Sequence, residues 1–416
     1  MKNFVCVLLS LLMCLSLAAC AGAGGGTTPE LSEAPQGWDF DNRFGGGYDS
    51  VAETDGAYYY TAPGGLFLYY YDKQTTESGV LCAKPECEHD AKRGNADCTG
   101  CVSICGTLSF WDGRLHYITM DKDSPTKHVL MSIMPDGSDK RKVIDVDLPM
   151  IEDNEYYSPQ RCDYHRGKLY GWCSMELIDD AEPLVETCIL SIDARTGKTS
   201  KIYSSFSYYR YETPSLYYFG RYVYFYLGRG EEGEDGSYTT YTELRRFDTE
   251  TEEVEDVFIS QFDGFLGGGM RIKVESEDRI YLMPESLADG EPNKLYLLSN
   301  GELSTAAVFD TEGYGAILDG AAFVGRPDTG LMEIRRFDGS LIYEGAWELD
   351  MLSELGSGAE ASYHIYSVFG DEDELLICIM LFRRNDEISG ISSCLLRYDL
   401  TEEEPRGSVL IYDKWQ

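Results

Sequence analysis

Basic residues are scarce. Lys and Arg number 35 against 72 Asp and Glu, a formal net charge of −37. So acidic a surface repels phosphates, which excludes nucleic acid as a partner and disfavours anionic lipid headgroups. Proline is scarce too, at 14 residues, and the 43 glycines follow no three-residue period, so collagen-like order is excluded. No apolar run beyond residue 20 reaches the roughly 20 residues that a membrane-spanning helix needs. Only five histidines occur, at 89, 116, 128, 165 and 364, and there is no Gly-x-Ser-x-Gly elbow and no His-Glu-x-x-His pair. Gly197-Lys198-Thr199-Ser200 resembles the end of a phosphate loop, but the first glycine of such a loop falls on Ile192, so the segment reads as a turn entering a strand. What the chain has instead is 43% apolar residues, enough for a core, and 31 tyrosines.

The N-terminus reads as an address. Lys2 is followed by an apolar run from Phe4 to Leu17 and then by Leu17-Ala18-Ala19-Cys20. Small residues before a Cys, directly after a short apolar stretch, resemble the bacterial lipobox, in which that Cys receives a diacylglyceryl group. Residues 1–19 are then a lipoprotein signal peptide and Cys20 the lipidated residue. Residues 20–37, small, polar and rich in Pro and Gly, read as a flexible linker. Two acyl chains would hold the remaining body, residues 38–416, on the cell membrane, facing outside the cytoplasm.

That body repeats. Short Tyr-rich or aliphatic runs recur at 57–60, 114–117, 168–171, 222–225, 279–282, 321–324 and 374–377. Each is followed by a second anchor: Tyr71-Asp72, Pro135-Asp136, Ile192-Asp193, Phe247-Asp248, Ser299-Asn300, Phe337-Asp338 and Tyr398-Asp399. The anchors lie 38 to 64 residues apart, a spacing near that of propeller blades. The reading is all-β: a β-propeller of about seven four-stranded blades, six or eight being the other counts the spacing allows. The recurring runs are read as the first strand of each unit. Turns at 135–138, 194–197 and 299–301 suit the hairpin between the outer strands.

A cysteine-rich insertion interrupts the first gap, at residues 82–105. Cys82-x4-Cys87-x-His89-x8-Cys98 offers three thiolates and one imidazole, a set suited to tetrahedral zinc, with Cys101 and Cys105 as alternate ligands. A disulfide-stapled loop is the competing reading for an exported chain, and a Cys98-Thr99-Gly100-Cys101 redox pair is a third. Cys162, Cys173, Cys188, Cys378 and Cys394 fall in apparent strands and read as packed thiols, with Cys173–Cys188 and Cys378–Cys394 as possible hairpin disulfides. The lipobox with Cys82-x-Lys84-Pro85-x-Cys87-x-His89 and a downstream Cys98 resembles a family of clostridial and Lachnospiraceae-type Firmicutes lipoproteins. The resemblance implies a TolB-like or WD-like propeller and marks Cys82, Cys87, His89 and Cys98 as family positions. It implies no catalytic residue.

Two function classes remain open. One is a membrane-anchored binding or scaffold module for a glycan, peptide or protein, using loop aromatics such as Tyr208, Tyr209, Tyr238, Tyr241 and Trp347. The other is a hydrolase or lyase with a carboxylate site in the central funnel. A pocket on the axis with two or more buried carboxylates and a neighbouring Arg or His favours the second. Acidic runs at 231–236 and 250–256 read as solvated loop charge.

Overall fold

The computed structural model describes residues 38–413, except 46–49, 63–64, 90–96, 103–107, 122–123, 149–160, 178–183, 209–213, 233–237, 262–269, 285–291, 327–329, 347–360 and 386–387. Cys20, Cys105, Tyr209 and Trp347 lie outside the described residues. Among these residues no helix is long and apolar enough to cross a membrane.

The chain forms seven four-stranded antiparallel sheets, each built from four consecutive strands. Blade 1 is β1 (Ser50–Glu53), β2 (Ala57–Thr61), β3 (Leu68–Asp72) and β4 (Ser78–Val80). Blade 2 is β5 (Ser109–Trp111), β6 (Arg114–Asp121), β7 (Ser124–Ile133) and β8 (Arg141–Val146). Blade 3 is β9 (Arg161–His165), β10 (Lys168–Leu177), β11 (Leu184–Asp193) and β12 (Thr199–Tyr208). Blade 4 is β13 (Ser215–Phe219), β14 (Tyr222–Glu232), β15 (Tyr238–Asp248) and β16 (Val254–Gln261). Blade 5 is β17 (Met270–Ser276), β18 (Arg279–Pro284), β19 (Lys294–Ser299) and β20 (Glu302–Val308). Blade 6 is β21 (Tyr314–Ile317), β22 (Ala321–Arg326), β23 (Leu331–Arg336) and β24 (Leu341–Ala346). Blade 7 is β25 (Ala361–Gly370), β26 (Glu374–Asn385), β27 (Ile388–Asp399) and β28 (Gly407–Asp413).

Seven apolar clusters sit between these sheets, one per seam. Tyr59 with Leu115 fills the seam of blades 1 and 2, and Ile118 with Leu169 that of 2 and 3. Tyr170 with Phe225 fills the next, then Tyr224 with Ile272, Tyr281 with Val324 and Phe323 with Ile377. Val51, Tyr58 and Tyr60 pack on Phe369, Leu376 and Ile411, joining blade 1 to blade 7 and closing the ring. The molecule is therefore a seven-bladed β-propeller. The recurring apolar runs are the second strands of the blades, β2, β6, β10, β14, β18, β22 and β26, and not the first as expected from sequence. Successive side chains of a strand point to opposite faces. Both faces of a second strand are covered: Tyr58 and Tyr60 enter one seam and Tyr59 the other. The innermost strands precede them, and the fourth strands, such as β4 and β24, are the exposed rim. The anchor turns do join third and fourth strands, with Gly197 in the turn and β12 beginning at Thr199.

One segment leaves the ring pattern. Residues 38–45 cross the ring. The Trp38 carbonyl accepts from the Arg166 amide at 2.7 Å, in the β9–β10 turn. The Phe40 amide donates to His165 Nδ1 at 3.2 Å. Asn42 pairs its side chain with both backbone groups of Tyr218 in β13. Arg43 forms ion pairs with Glu53 of blade 1 and Asp371 beside blade 7. The Phe44 carbonyl accepts from Arg161 of β9 at 2.8 Å, while its ring packs in the cluster that closes the ring. Three consecutive residues thus reach the inner sides of blades 1, 3, 4 and 7. Blades 3 and 4 lie across the ring from 7 and 1, so only a segment on the axis can do this.

Candidate metal centre

The cysteine insertion leaves blade 1 at Leu81 and returns along it at Gly100–Val102. The Leu81 amide donates to the Leu68 carbonyl, the Leu68 amide to the Gly100 carbonyl at 2.9 Å, and the Val102 amide to the Leu66 carbonyl at 2.7 Å. Leu81, Val102 and Leu108 anchor both limbs in the core between blades 1 and 2. The limbs run so close that a Cβ on Gly100 would lie 2.6 Å from the Leu81 carbonyl oxygen, which only glycine tolerates. Lys84-Pro85-Glu86-Cys87 closes in a turn, with the Cys87 amide on the Lys84 carbonyl at 3.1 Å. His89, at φ +51, occupies the left-handed region.

This backbone brings Cys82, Cys87, His89 and Cys98 together, with their ligand atoms all within 4.8 Å of one another. Cys98 Sγ and His89 Nδ1 are 3.5 Å apart. Tetrahedral zinc, with bonds of about 2.0–2.3 Å, spaces its ligand atoms by roughly 3.3–3.8 Å. These four residues could hold a metal ion. Cys101 is outside the group, its backbone pairing with Phe67.

The surroundings favour ionisation of Cys82 and oppose that of Cys98. Burial pushes the Cys82 thiol up, but the Thr99 hydroxyl and the amides of Lys84, Thr99 and Gly100 outweigh it and hold Cys82 down at about 6. Cys98 is pushed up to about 12, first by burial and then by its contacts with the Cys87 and Cys82 sulfurs. Three crowded sulfurs do not all ionise without a cation between them. A divalent ion removes that obstacle, because thiolate is the form it binds. The donor set and the amide cradle therefore fit zinc.

None of the nine described cysteines is in a disulfide. Cys162, Cys173, Cys188, Cys378 and Cys394 are buried, as expected of packed thiols. Cys378 and Cys394 cannot bridge: Cys394 pairs with Ile379, so the two side chains point into different seams. Cys173 and Cys188 do face each other in register. Of the aromatics expected on loops, Tyr208, Tyr238 and Tyr241 lie within strands β12 and β15.

On β9, Asp163 is the one buried carboxylate of the inner strands among the described residues, and it faces Tyr218 of blade 4. Burial raises its pKa, opposed by Arg161, whose Nε donates to both oxygens at 3.0 Å. The Tyr218 hydroxyl donates to the same carboxylate at 3.2 Å. Beside the crossing segment lies an open cleft of about 810 Å³. Phe40, Phe219, Tyr281 and Phe337 are among its walls, with Tyr281 and Phe337 stacked at 4.3 Å. Neither the axis segment nor the cleft has a period or motif that marks it in the sequence.

No family model and no curated protein matches the chain. Among solved structures it is similar to the acylaminoacyl peptidase of Pyrococcus horikoshii, at 12% identity and a TM-score of 0.47, covering 90% of this chain and 54% of that one. The chain thus spans about half the length of that enzyme. It is similar to the β-propeller domain of the trilobed protease from Pyrococcus furiosus, described as having an open velcro topology, at 11% identity and a TM-score of 0.43, covering 88% and 95%. It is also similar to dipeptidyl peptidase 4 of Porphyromonas gingivalis, at 7% identity and a TM-score of 0.39, covering 92% and 62%. Similarity of this order carries no information on activity.

Proposed function

We propose that this chain is a lipid-anchored β-propeller, tethered through Cys20 outside the cytoplasm, that binds a glycan, peptide or protein partner and carries a structural zinc ion at Cys82, Cys87, His89 and Cys98. One observation carries the choice of binding over hydrolysis. The chain's own residues 42–45 lie on the axis where a funnel active site needs open space, and the buried Asp163 of the inner strand β9 is already paired with Arg161. The cleft beside that segment offers the half-buried rings of Phe40, Phe219 and Phe337, and aromatic rings stack on sugars or apolar side chains.

When bound, zinc holds the loop by four bonds that no apolar core replaces. Elemental analysis of protein purified anaerobically should give one zinc per chain. Chelation should lower the thermal midpoint and expose the cluster thiols to alkylation. Zinc-free protein with unchanged melting speaks against the ion. Glycan and peptide arrays test the binding role. A ligand found there should bind Phe337→Ala about ten-fold more weakly, whereas ligand-free arrays with turnover of a glycoside or peptide substrate overturn the reading.

A further inference from the structure

The ligand loop does not rest on blade 1 alone, because the β7–β8 turn of blade 2 leans onto it. Gly137 approaches so closely that a Cβ there would lie 3.0 Å from the amide nitrogens of both Cys82 and Ala83. The Pro135 carbonyl of the same turn accepts from the Tyr59 hydroxyl of blade 1 at 3.2 Å. Lys140, half-buried just beyond the turn, donates its ammonium to the Cys101 carbonyl at 2.5 Å. The Cys101 amide in turn bonds to the Cys98 carbonyl at 3.3 Å. Burial lowers the Lys140 pKa, and the nearby sulfurs of Cys101, Cys98 and Cys82, where ionised, oppose that shift.

Three thiolates and a neutral imidazole around a divalent ion leave one net negative charge. Cys98 is only 4% exposed, so part of that charge is buried. Amide hydrogen bonds soften a buried anion but bring no opposite charge, and buried charges persist when paired. Lys140 brings such a charge from the neighbouring blade. We propose that Lys140 is the counter-charge of the metal centre, so that the bound ion fastens blade 2 to blade 1 as well as ordering its own loop. This rests on the zinc reading above.

Full-length wild type, Lys140→Met and Lys140→Arg are compared for zinc affinity by competition with a chromophoric chelator, and for the absorption spectrum of the cobalt form. Lys140→Met should bind zinc about ten-fold more weakly while its cobalt spectrum stays that of a tetrahedral three-thiolate site. Lys140→Arg should stay within about three-fold of wild type, since it keeps the charge. If Lys140→Met does not fold, Lys140→Gln keeps a donor for the Cys101 carbonyl without the charge and should show the same loss. Unchanged affinity in the neutral variants overturns the proposal and leaves the zinc reading standing, as does an equal loss in Lys140→Arg. Wild type that binds no zinc overturns both.

Discussion

His165 shows how a single side chain can hold the axis segment. Its Nδ1 accepts the Phe40 amide, and its Nε2 lies 2.9 Å from the Gly220 carbonyl. Only the neutral ring, with its proton on Nε2, satisfies both. Burial lowers its pKa from 6.5 to about 4, Asp39 and the Gly220 carbonyl opposing and the Arg166 charge assisting. Between those values the unfolded chain takes up a proton that the folded one refuses. The stability from this site is therefore whole above pH 6.5 and is lost as pH falls towards 4. His116, stacked on Trp111 at 3.6 Å and lowered by burial to about 3, adds to the same window. Thermal midpoints from pH 7 to 4.5 should fall, and less steeply in His165→Gln; identical slopes would sink this assignment. Neither histidine could be read this way from sequence, where they stand only beside Tyr-rich strand starts. The four residues of the candidate metal centre could, because Cys82, Cys87, His89 and Cys98 are close in the chain and the fold brings their side chains together. The amides of Thr99 and Gly100 that favour the Cys82 thiolate have no side-chain signature.

Among elements, the second strands were legible because both faces are buried, which makes them nearly continuous in apolar residues. The inner strands were not. β1 and β21 have four residues each and follow connections of unequal length, so no fixed offset betrays them. Blade-to-blade contacts at the rim were also invisible. Gly197, at φ +74 in the β11–β12 turn, lies against β8, and a Cβ there would fall 1.8 Å from the Asp145 carbonyl oxygen. Its own carbonyl accepts the Asp147 amide at 2.9 Å. Gly301, at φ +79 in the β19–β20 turn, has nothing within 4 Å of such an atom. Gly197→Ala should cost about 2–4 kcal/mol, and Gly301→Ala only the conformational strain, about 1–2 kcal/mol. Denaturant titration of both separates the contact from the backbone angle, and equal losses would remove the contact from the account.

At the scale of the whole molecule, charge and closure act against each other. With a net charge of −37, distant carboxylates repel one another across the ring. Many are locally paired, as in Arg245 with Glu243 and Asp256. The excess is long-ranged and screened by salt. The thermal midpoint should therefore rise between 10 and about 150 mM sodium chloride, where the screening length shortens from roughly 30 to 8 Å; a fall would mean that surface ion pairs outweigh the general repulsion.

Among the described residues, closure involves no exchanged strand. Blade 1 and blade 7 each come from one contiguous stretch, and they meet through packed side chains and through the bonds of Tyr58 to Glu374 and Tyr69 to Asp413. A necklace clasped in this way has no backbone ladder running across its clasp. Tension applied between β1 and β28 would therefore meet only side-chain contacts at that junction, with no sheet hydrogen bond to break there.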